Sequence, residues 1–146
     1  MAAELREIVR PDTALGFPAM QALRTHYEDE AAFVERVDDV QRGEGYRLVG
    51  VFEDEPTHAL AVAGFRVGHM LAWGRYLYVD DLSTLPEGRR RGYGRQLLEW
   101  LTEEGRRLGC EQLHLDSGVA ADRYDAHRLY LNTGLAITSH HFARRL

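Results

Sequence analysis

Apolar residues recur at two different spacings along the chain, and the order of those spacings restricts the fold. After a short opening strand, helical spacing comes first, strand-like alternation follows it, and the two then alternate to the end. A meander of strands followed by alternating helices and strands predicts an α/β protein with a central mixed sheet flanked by helices. The predicted elements are a strand (5–9), two helices (13–27 and 29–41), three strands (46–52, 58–67 and 75–84, with a turn over 53–57), a helix (92–108), a strand (112–116), a helix (122–132) and a strand (134–142).

The chain has the size and composition of one folded domain. Its 146 residues predict a single domain over residues 1–146, and a hydrophobic content of 45% supplies material for a sizeable core. The 28% of charged residues is typical of a globular protein. A formal net charge of −5 argues against a nucleic-acid partner and favours cationic ones.

Cysteine content and the first residues bear on the compartment. Cys110 is the single cysteine, so no intrachain disulfide can form. The opening MAAELREIVRPD has no apolar run of the kind found in a signal peptide, and no stretch is long enough to span a bilayer. We therefore expect a cytoplasmic protein without a membrane partner. The seven histidines do not match zinc-ligand spacing, so no metal is expected.

The segment RRRGYGR, residues 89–95, carries the strongest functional signal. It lies between a predicted strand and the start of the longest predicted helix, where free backbone N–H groups and the helix dipole favour an anion. Gly92 and Gly94 remove side chains where a ligand would approach the backbone, and four arginines add positive charge. A solvated arginine run would explain the charges alone. The strand, the paired glycines and the helix in this order predict a phosphate-binding loop.

Two motifs resemble those of the GNAT superfamily of N-acetyltransferases. Arg89, Gly92 and Gly94 match the signature [RQ]-x-x-G-x-[GA] at the start of the central helix, whereas neither the dinucleotide loop GxGxxG nor the P-loop ending GK[ST] fits. The run AHRLYLNTGL at 126–135 matches A-x-x-L-Y-x-x-x-G-F, except that Leu135 replaces phenylalanine. The resemblance covers roughly residues 46–142.

The resemblance implies a sheet whose two middle strands splay apart, with acetyl-CoA as cosubstrate in the gap. The pantetheine arm would lie like an extra strand along Leu82, Ser83 and Thr84, and a backbone N–H near Leu82 would polarise the thioester carbonyl. Many members of the superfamily form dimers, so a homodimer is a further expectation. Beside the signature residue Arg89, the pyrophosphate would bind backbone N–H groups of Arg90, Arg91, Gly92, Tyr93, Gly94 and Arg95.

Acetylation of an amine requires two proton transfers. Most amines are protonated at neutral pH, so one group must take a proton from the acceptor and another must protonate the departing thiolate. By the resemblance, Tyr130 is the acid that reaches the CoA sulfur. The alternative is a packed helix tyrosine with its hydroxyl at the surface.

Asp80 and Asp81 are the candidates for the base or for an anchor of the amine. They lie inside the predicted strand 75–84, and neighbouring residues of a strand point to opposite faces, so only one is expected to face the acceptor. The sequence YVDDL also resembles the acidic pair of the diamine and polyamine branch of the family, which favours Asp80 as the base. The alternative is one solvated aspartate and one that pairs with an arginine.

Histidine is the other candidate for the base. His114 alternates with two leucines in the predicted strand 112–116, while His140 and His141 lie in the last predicted strand. Histidine titrates in the useful pH range, although a lone strand histidine is more often a structural residue. A water molecule that relays the proton is a further alternative.

The sequence therefore predicts an N-acetyltransferase that moves the acetyl group of acetyl-CoA to a primary amine by direct attack in a ternary complex. The acidic strand residues and the negative net charge favour a small cationic amine as acceptor. A non-catalytic acyl-CoA-binding regulatory module of the same fold is the first alternative. An unrelated nucleotide-binding domain is the second.

Overall fold

The computed structural model describes residues 3–53 and 58–146. The strands of these residues are β1 (Ala3–Ile8), β2 (Arg47–Glu53), β3 (Ala61–Met70), β4 (Gly74–Thr84) and β5 (Gln112–Leu115). The α-helices are α1 (Phe17–Leu23), α2 (Glu30–Arg36), α3 (Tyr93–Arg107) and α4 (Tyr124–Asn132). The strands form one sheet in chain order, antiparallel from β1 to β4 and parallel between β4 and β5. The mixed α/β class is confirmed.

The turn predicted over residues 53–57 falls mostly outside the described ranges. Glu53 is described, and it is the last residue of β2 and not part of a turn. Within the two described ranges, no helix is long and apolar enough to cross a membrane.

The first two helices are shorter than predicted because turns of other types border them. A 3-10 turn, Thr13–Gly16, precedes α1. A π-helical turn, Val37–Gln41, and a 3-10 turn, Arg42–Glu44, follow α2. Apolar spacing is nearly the same in these turns as in an α-helix, so the sequence pattern does not separate them.

Alternating side chains of β2 divide between two core clusters, one on each face of the sheet. Leu48 and Phe52 are buried in the cluster that includes Phe17 of α1 and Phe33 of α2. The residues between them, such as Val49, are buried in the second cluster with α3. This two-sided burial explains why β2 reads as a nearly continuous apolar run.

Helix α3 has clear limits in the sequence. It begins after Gly92, whose φ of 79° is in the left-handed region, and Gly109 just after its end has a φ of 74°. Both values favour glycine. Leu97 and Leu101, one turn apart, are fully buried against the sheet. The helix stop predicted at Gly109 is confirmed.

Strands β4 and β5 pair over only part of their length. Tyr76 to Val79 of β4 pair with Gln112 to Leu115 of β5. Beyond Val79, β4 continues to Thr84 with β3 as its recorded partner. Among residues 3–53 and 58–146, the edge of this part of β4 that faces away from β3 is therefore open. The predicted splay is present, but it lies between the last two strands of the sheet and not between its two middle strands.

The last predicted strand, 134–142, does not form. Residues 135–146 belong to no helix or strand, and Ile137 and Phe142 are 84% and 92% exposed. A strand exists through its pairing with a neighbour, and an alternating pattern does not supply that neighbour. The prediction of this element was wrong for that reason.

An ion-pair network joins the edge of the sheet to α3. Arg47 in β2 donates to Glu7 of β1 at 2.8 and 2.9 Å and contacts Glu104 of α3 at 2.7 Å. Glu104 is 8% exposed and also accepts from Arg107 at 2.6 and 2.8 Å. The hydrogen bonds from Arg107 and Arg47 lower the pKa of Glu104 to about 2. The network therefore needs the ionised carboxylate.

Replacing Glu104 with Gln should destabilise the fold by about 1–3 kcal/mol at pH 7, because Arg47 loses a charged partner in a buried setting. The pKa of Glu104 is lowered from 4.5, so its contribution is present above that pH and is lost as the pH falls towards 2. Urea unfolding of wild type and E104Q at several pH values measures this difference.

The matched control is Glu103→Gln. Glu103 pairs with Arg106 on the same helix, and the two side chains are 71% and 69% exposed. An exposed pair of this kind contributes about 0–1 kcal/mol. Equal losses in E103Q and E104Q would contradict the role assigned to the network.

Candidate active site

A β-bulge in β4 positions the two adjacent aspartates. Gly64 of β3 pairs with Asp81, whereas the next residue, Phe65, pairs with Val79, so Asp80 is the extra residue. A bulge interrupts the alternation of side chains between the two faces of a sheet. Asp80 and Asp81 both line the same cavity. The prediction that only one of them faces it was wrong, because it assumed an unbroken strand.

Asp81 is held by two donors. One carboxylate oxygen accepts from Arg24 Nε at 2.8 Å, and the other accepts from the Tyr46 hydroxyl at 2.7 Å. Arg24, just after α1, also donates to the backbone carbonyl of Asp80 at 2.8 Å. Burial and the neighbouring Asp81 raise the pKa of Tyr46, so its hydroxyl stays a donor. These contacts fix the bulge.

Asp80 pairs with a different arginine. Arg66 of β3 donates to the Asp80 carboxylate, with Nη2 2.6 Å and Nε 3.0 Å from Oδ2. Burial raises the pKa of Asp80 even though Arg66 opposes the shift. A carboxylate with a raised pKa is a better proton acceptor than a free surface aspartate. The sequence alternative of one solvated and one paired aspartate does not match, since both have an arginine partner.

Two cavities meet at these residues. The larger, of about 800 Å³, lies between the α1–α2 region and the β3–β4 hairpin. The smaller, of about 230 Å³, lies in the splay and is lined by Leu82 of β4 and Leu115 of β5. Arg24, Asp80 and Asp116 line both cavities. A molecule in one cavity can therefore meet a molecule in the other beside Asp80.

Tyr130 of α4 lines the smaller cavity. It is 8% exposed, so the alternative of a hydroxyl at the surface is not what the structure shows. Burial raises its pKa, with Arg123 as a weaker opposing influence. The phenol is therefore protonated at neutral pH and can donate a proton. Asp80 and Tyr130 line one cavity from two different elements.

The predicted phosphate loop contains two residues with a positive φ. Arg90 has a φ of 63° and Gly92 a φ of 79°, so the chain turns sharply just before α3. A Cβ added to Gly92 would meet no atom within 4 Å, whereas one at Gly94 would lie 2.8 Å from Leu129 of α4. Gly92 therefore leaves open space at the helix start. Because Gly94 has no side chain, α3 can pack closely against Leu129 of α4.

The side chains of the loop divide into two groups. Tyr93 is buried, and its hydroxyl and the guanidinium of Arg91 both bond to Glu53 of β2. Arg89, Arg90 and Arg95 are exposed and form no ion pair with the described part of the chain. Within the described ranges, Arg89, Arg90 and Arg95 therefore have unpaired side chains that could meet an anion, whereas Arg91 and Tyr93 are already bonded to Glu53 through their side chains.

The histidine candidates lie in different places. His114 stacks on Trp73 at 3.4 Å between ring centroids, its Nε2 is 2.6 Å from Gln112 Oε1, and burial lowers its pKa. It lines neither cavity, and neither does His140. His141 lines the larger cavity, with Nδ1 3.4 Å from an Asp116 carboxylate oxygen.

Sequence reasoning missed several residues of this site. Arg24, Tyr46 and Asp116 lie in three distant parts of the sequence, and no local pattern connects them to Asp80. Arg66 offered one signal, since it is the single acidic or basic side chain, histidine aside, in the apolar strand AVAGFRVGHM. Across residues 3–53 and 58–146, the structure has no group of three His, Cys, Asp or Glu side chains arranged to hold a metal ion.

Comparison with known proteins places this geometry in a family. The model of the acetyltransferase (GNAT) family matches residues 4–135. The uncharacterised N-acetyltransferase YhdJ of Bacillus subtilis (strain 168) is 32% identical over 136 residues, which is 92% of each chain. The chain therefore belongs to the GNAT acetyltransferase family. The family and the acetyltransferase class predicted from the sequence are confirmed.

Solved structures share the fold. A transcriptional regulator from Bacillus halodurans C-125 has a TM-score of 0.83 at 18% identity, covering 99% of this chain and all of that one. The aminoglycoside N-acetyltransferase AAC(6')-Iy in complex with CoA has a TM-score of 0.76 at 14% identity, covering 99% of this chain and 95% of that one. At such identities the likeness concerns the fold alone.

Replacing Gly92 with Ala should destabilise the protein by about 1 kcal/mol, because a left-handed φ is unfavourable for a residue with a Cβ. Gly43→Ala is the control. Both positions have open space around an added Cβ, but only Gly92 has a positive φ. Urea unfolding of both variants measures the difference, and an equal effect at the two positions would refute the backbone explanation.

Proposed function

We propose that this protein transfers the acetyl group of acetyl-CoA to a primary amine by direct attack in a ternary complex. The observation that carries the proposal is the meeting of two cavities at Asp80, with Tyr130 in the smaller and the acceptor-sized space in the larger. Two substrates held in one place convert a bimolecular reaction into an effectively unimolecular one.

Acetyl-CoA is proposed to lie in the splay. Leu82, Ser83 and Thr84 pair with β3 on one side and leave the other edge of β4 open to the pantetheine amides. The pyrophosphate would bind at the start of α3, on the backbone N–H groups from Arg90 to Arg95 and near the exposed guanidinium of Arg89. The fold likeness to a structure that contains CoA supports this placement.

The proton transfers are assigned to Asp80 and Tyr130. Asp80 takes a proton from the ammonium form of the acceptor, directly or through water, and the neutral nitrogen attacks the thioester carbonyl carbon. The C–N bond forms, the C–S bond breaks, and Tyr130 donates its proton to the departing thiolate. The nitrogen loses its second proton to solvent, Asp80 releases to solvent the proton that it took, and Tyr130 recovers its own from solvent. Asp81, bound by Arg24 and Tyr46, acts as a positioning residue.

The acceptor is proposed to be a small amine that is cationic in solution. The larger cavity, at about 800 Å³, has the size of a small-molecule site. Its lining holds three carboxylates, on Asp80, Asp81 and Asp116, and three guanidinium groups, on Arg24, Arg36 and Arg66. Arg66 binds Asp80 and Arg24 binds Asp81, whereas Asp116 forms no ion pair with an arginine of the described residues, so Asp116 would attract the cationic acceptor before it is deprotonated.

We also propose that residues 1–146 form a single domain that acts in the cytoplasm as a homodimer. Leu60 packs against both core clusters, which supports a single domain. Ile137 and Phe142 are exposed apolar side chains, and contact with a second copy would cover them.

Calorimetric titration with acetyl-CoA, CoA and ADP, run side by side, tests the donor site. Acetyl-CoA and CoA should bind tightly and ADP weakly, because ADP lacks the pantetheine arm that would lie along β4. An unrelated nucleotide-binding domain would instead bind ADP as well as CoA. A failure to bind either CoA species would refute the donor site.

Tyr130→Phe should lower kcat by roughly 10–100-fold with little change in the Kd of acetyl-CoA, because the phenol acts only when the thiolate leaves. Thiol release with an amine acceptor measures kcat, and calorimetry measures Kd. Tyr124→Phe is the control, since Tyr124 lies on the same helix and is 52% exposed. Wild-type turnover in Y130F would remove Tyr130 from the mechanism.

A further inference from the structure

The wall of the larger cavity is largely aromatic. We name as the aromatic wall the rings of Tyr27, Phe33, Trp73, Tyr76 and Tyr78, which line this cavity and not the smaller one. They come from two parts of the chain, the α1–α2 region and the β3–β4 hairpin. Met20 and Met70 line the same cavity and add flexible apolar surface between the rings.

Contacts among side chains hold these rings. Trp73 lies edge-on to Tyr76, with 5.3 Å between centroids and 90° between planes, and its face stacks on His114. Tyr27 lies edge-on to Phe33 at 6.3 Å and 80°. Such arrangements restrict ring rotation, so the cavity keeps its apolar surface before a ligand arrives.

Most charged side chains that line the cavity are already paired with other side chains of the protein. Arg24 binds Asp81, and Arg66 binds Asp80. Asp116 accepts from the Tyr78 hydroxyl and lies near His141. Asp80 and Asp116 are the carboxylates at the junction with the smaller cavity, where the reacting nitrogen must be.

Beyond that junction, a second cationic group would meet few favourable partners. Asp81 is the remaining carboxylate of the lining, and Arg24 and Tyr46 occupy its oxygens. Arg36 also lines the cavity, on the exposed side of α2, and would repel a second ammonium. An acceptor with one amine and an uncharged, flat body fits these surroundings.

We propose that the acceptor is a primary amine carried on an aromatic body, such as an arylalkylamine, with its ring against the aromatic wall and its nitrogen beside Asp80. This proposal rests on the proposed function and names the substrate class of that same site. Burial of a ring against other rings supplies binding energy that a polar chain does not supply.

The first experiment compares 2-phenylethylamine with butane-1,4-diamine as acceptors, with thiol release as the readout. The value of kcat/KM should be higher for the aromatic amine by about tenfold or more. Equal or better turnover of the diamine would overturn the aromatic class while leaving the acetyltransferase function in place. If acetyl-CoA binds and neither amine is acetylated, a wider screen of amines follows. If no amine in that screen is acetylated, both the proposed function and the aromatic substrate class are overturned.

The second experiment places the ring. Trp73→Leu should raise KM for 2-phenylethylamine by about tenfold, with a smaller change in KM for butane-1,4-diamine and no change in the Kd of acetyl-CoA. Leu71→Ala is the control in the same hairpin, because Leu71 is fully exposed and does not line the cavity. An equal rise in KM for both amines in W73L would show that Trp73 only supports the hairpin and would overturn the proposed contact.

Discussion

The incomplete pairing of β4 with β5 is the constraint on which the rest of the site depends. Parallel strands that stayed together to their ends would leave no edge of β4 free and no space between Leu82 and Leu115. The sheet tolerates the gap because β3 still pairs with the open half of β4. Core clusters on both faces then hold the sheet around the opening. One open strand edge thereby leaves an otherwise ordinary sheet with the space that the proposed function assigns to acetyl-CoA.

In the proposed function, the bulge at Asp80 converts that opening into a chemical site. It directs two consecutive carboxylates to one cavity and leaves each with a different arginine. Burying a paired carboxylate beside an apolar wall costs less free energy than burying an unpaired one, because the paired carboxylate keeps a hydrogen-bond donor when water is displaced. The same pairs limit how strongly the cavity attracts a polycation. In the proposed function, electrostatics and shape therefore act together in the choice of acceptor.

Much of the fold could be predicted from the sequence, since glycines mark the limits of α3 and apolar spacing marks its buried face. The predicted phosphate loop rests on the same kind of evidence, because glycines and arginines at the start of a helix form a local signal. The bulge was not visible, because it depends on which residues of β3 face β4. Arg24 and Tyr46 reach Asp81 through tertiary contacts, and such contacts produce no pattern in the local sequence from which they could be predicted.

Gly64 lies opposite Asp81, and a Cβ there would fall 1.7 Å from the Tyr46 hydroxyl oxygen. The phenol thus occupies the volume that a side chain at position 64 would need. A larger residue at 64 requires that the phenol move or that a smaller residue replace it, and either change would release one oxygen of Asp81. Among relatives of this chain, these two positions should therefore vary as a linked pair. A change at both would mark a branch in which the carboxylates that line the larger cavity are arranged differently.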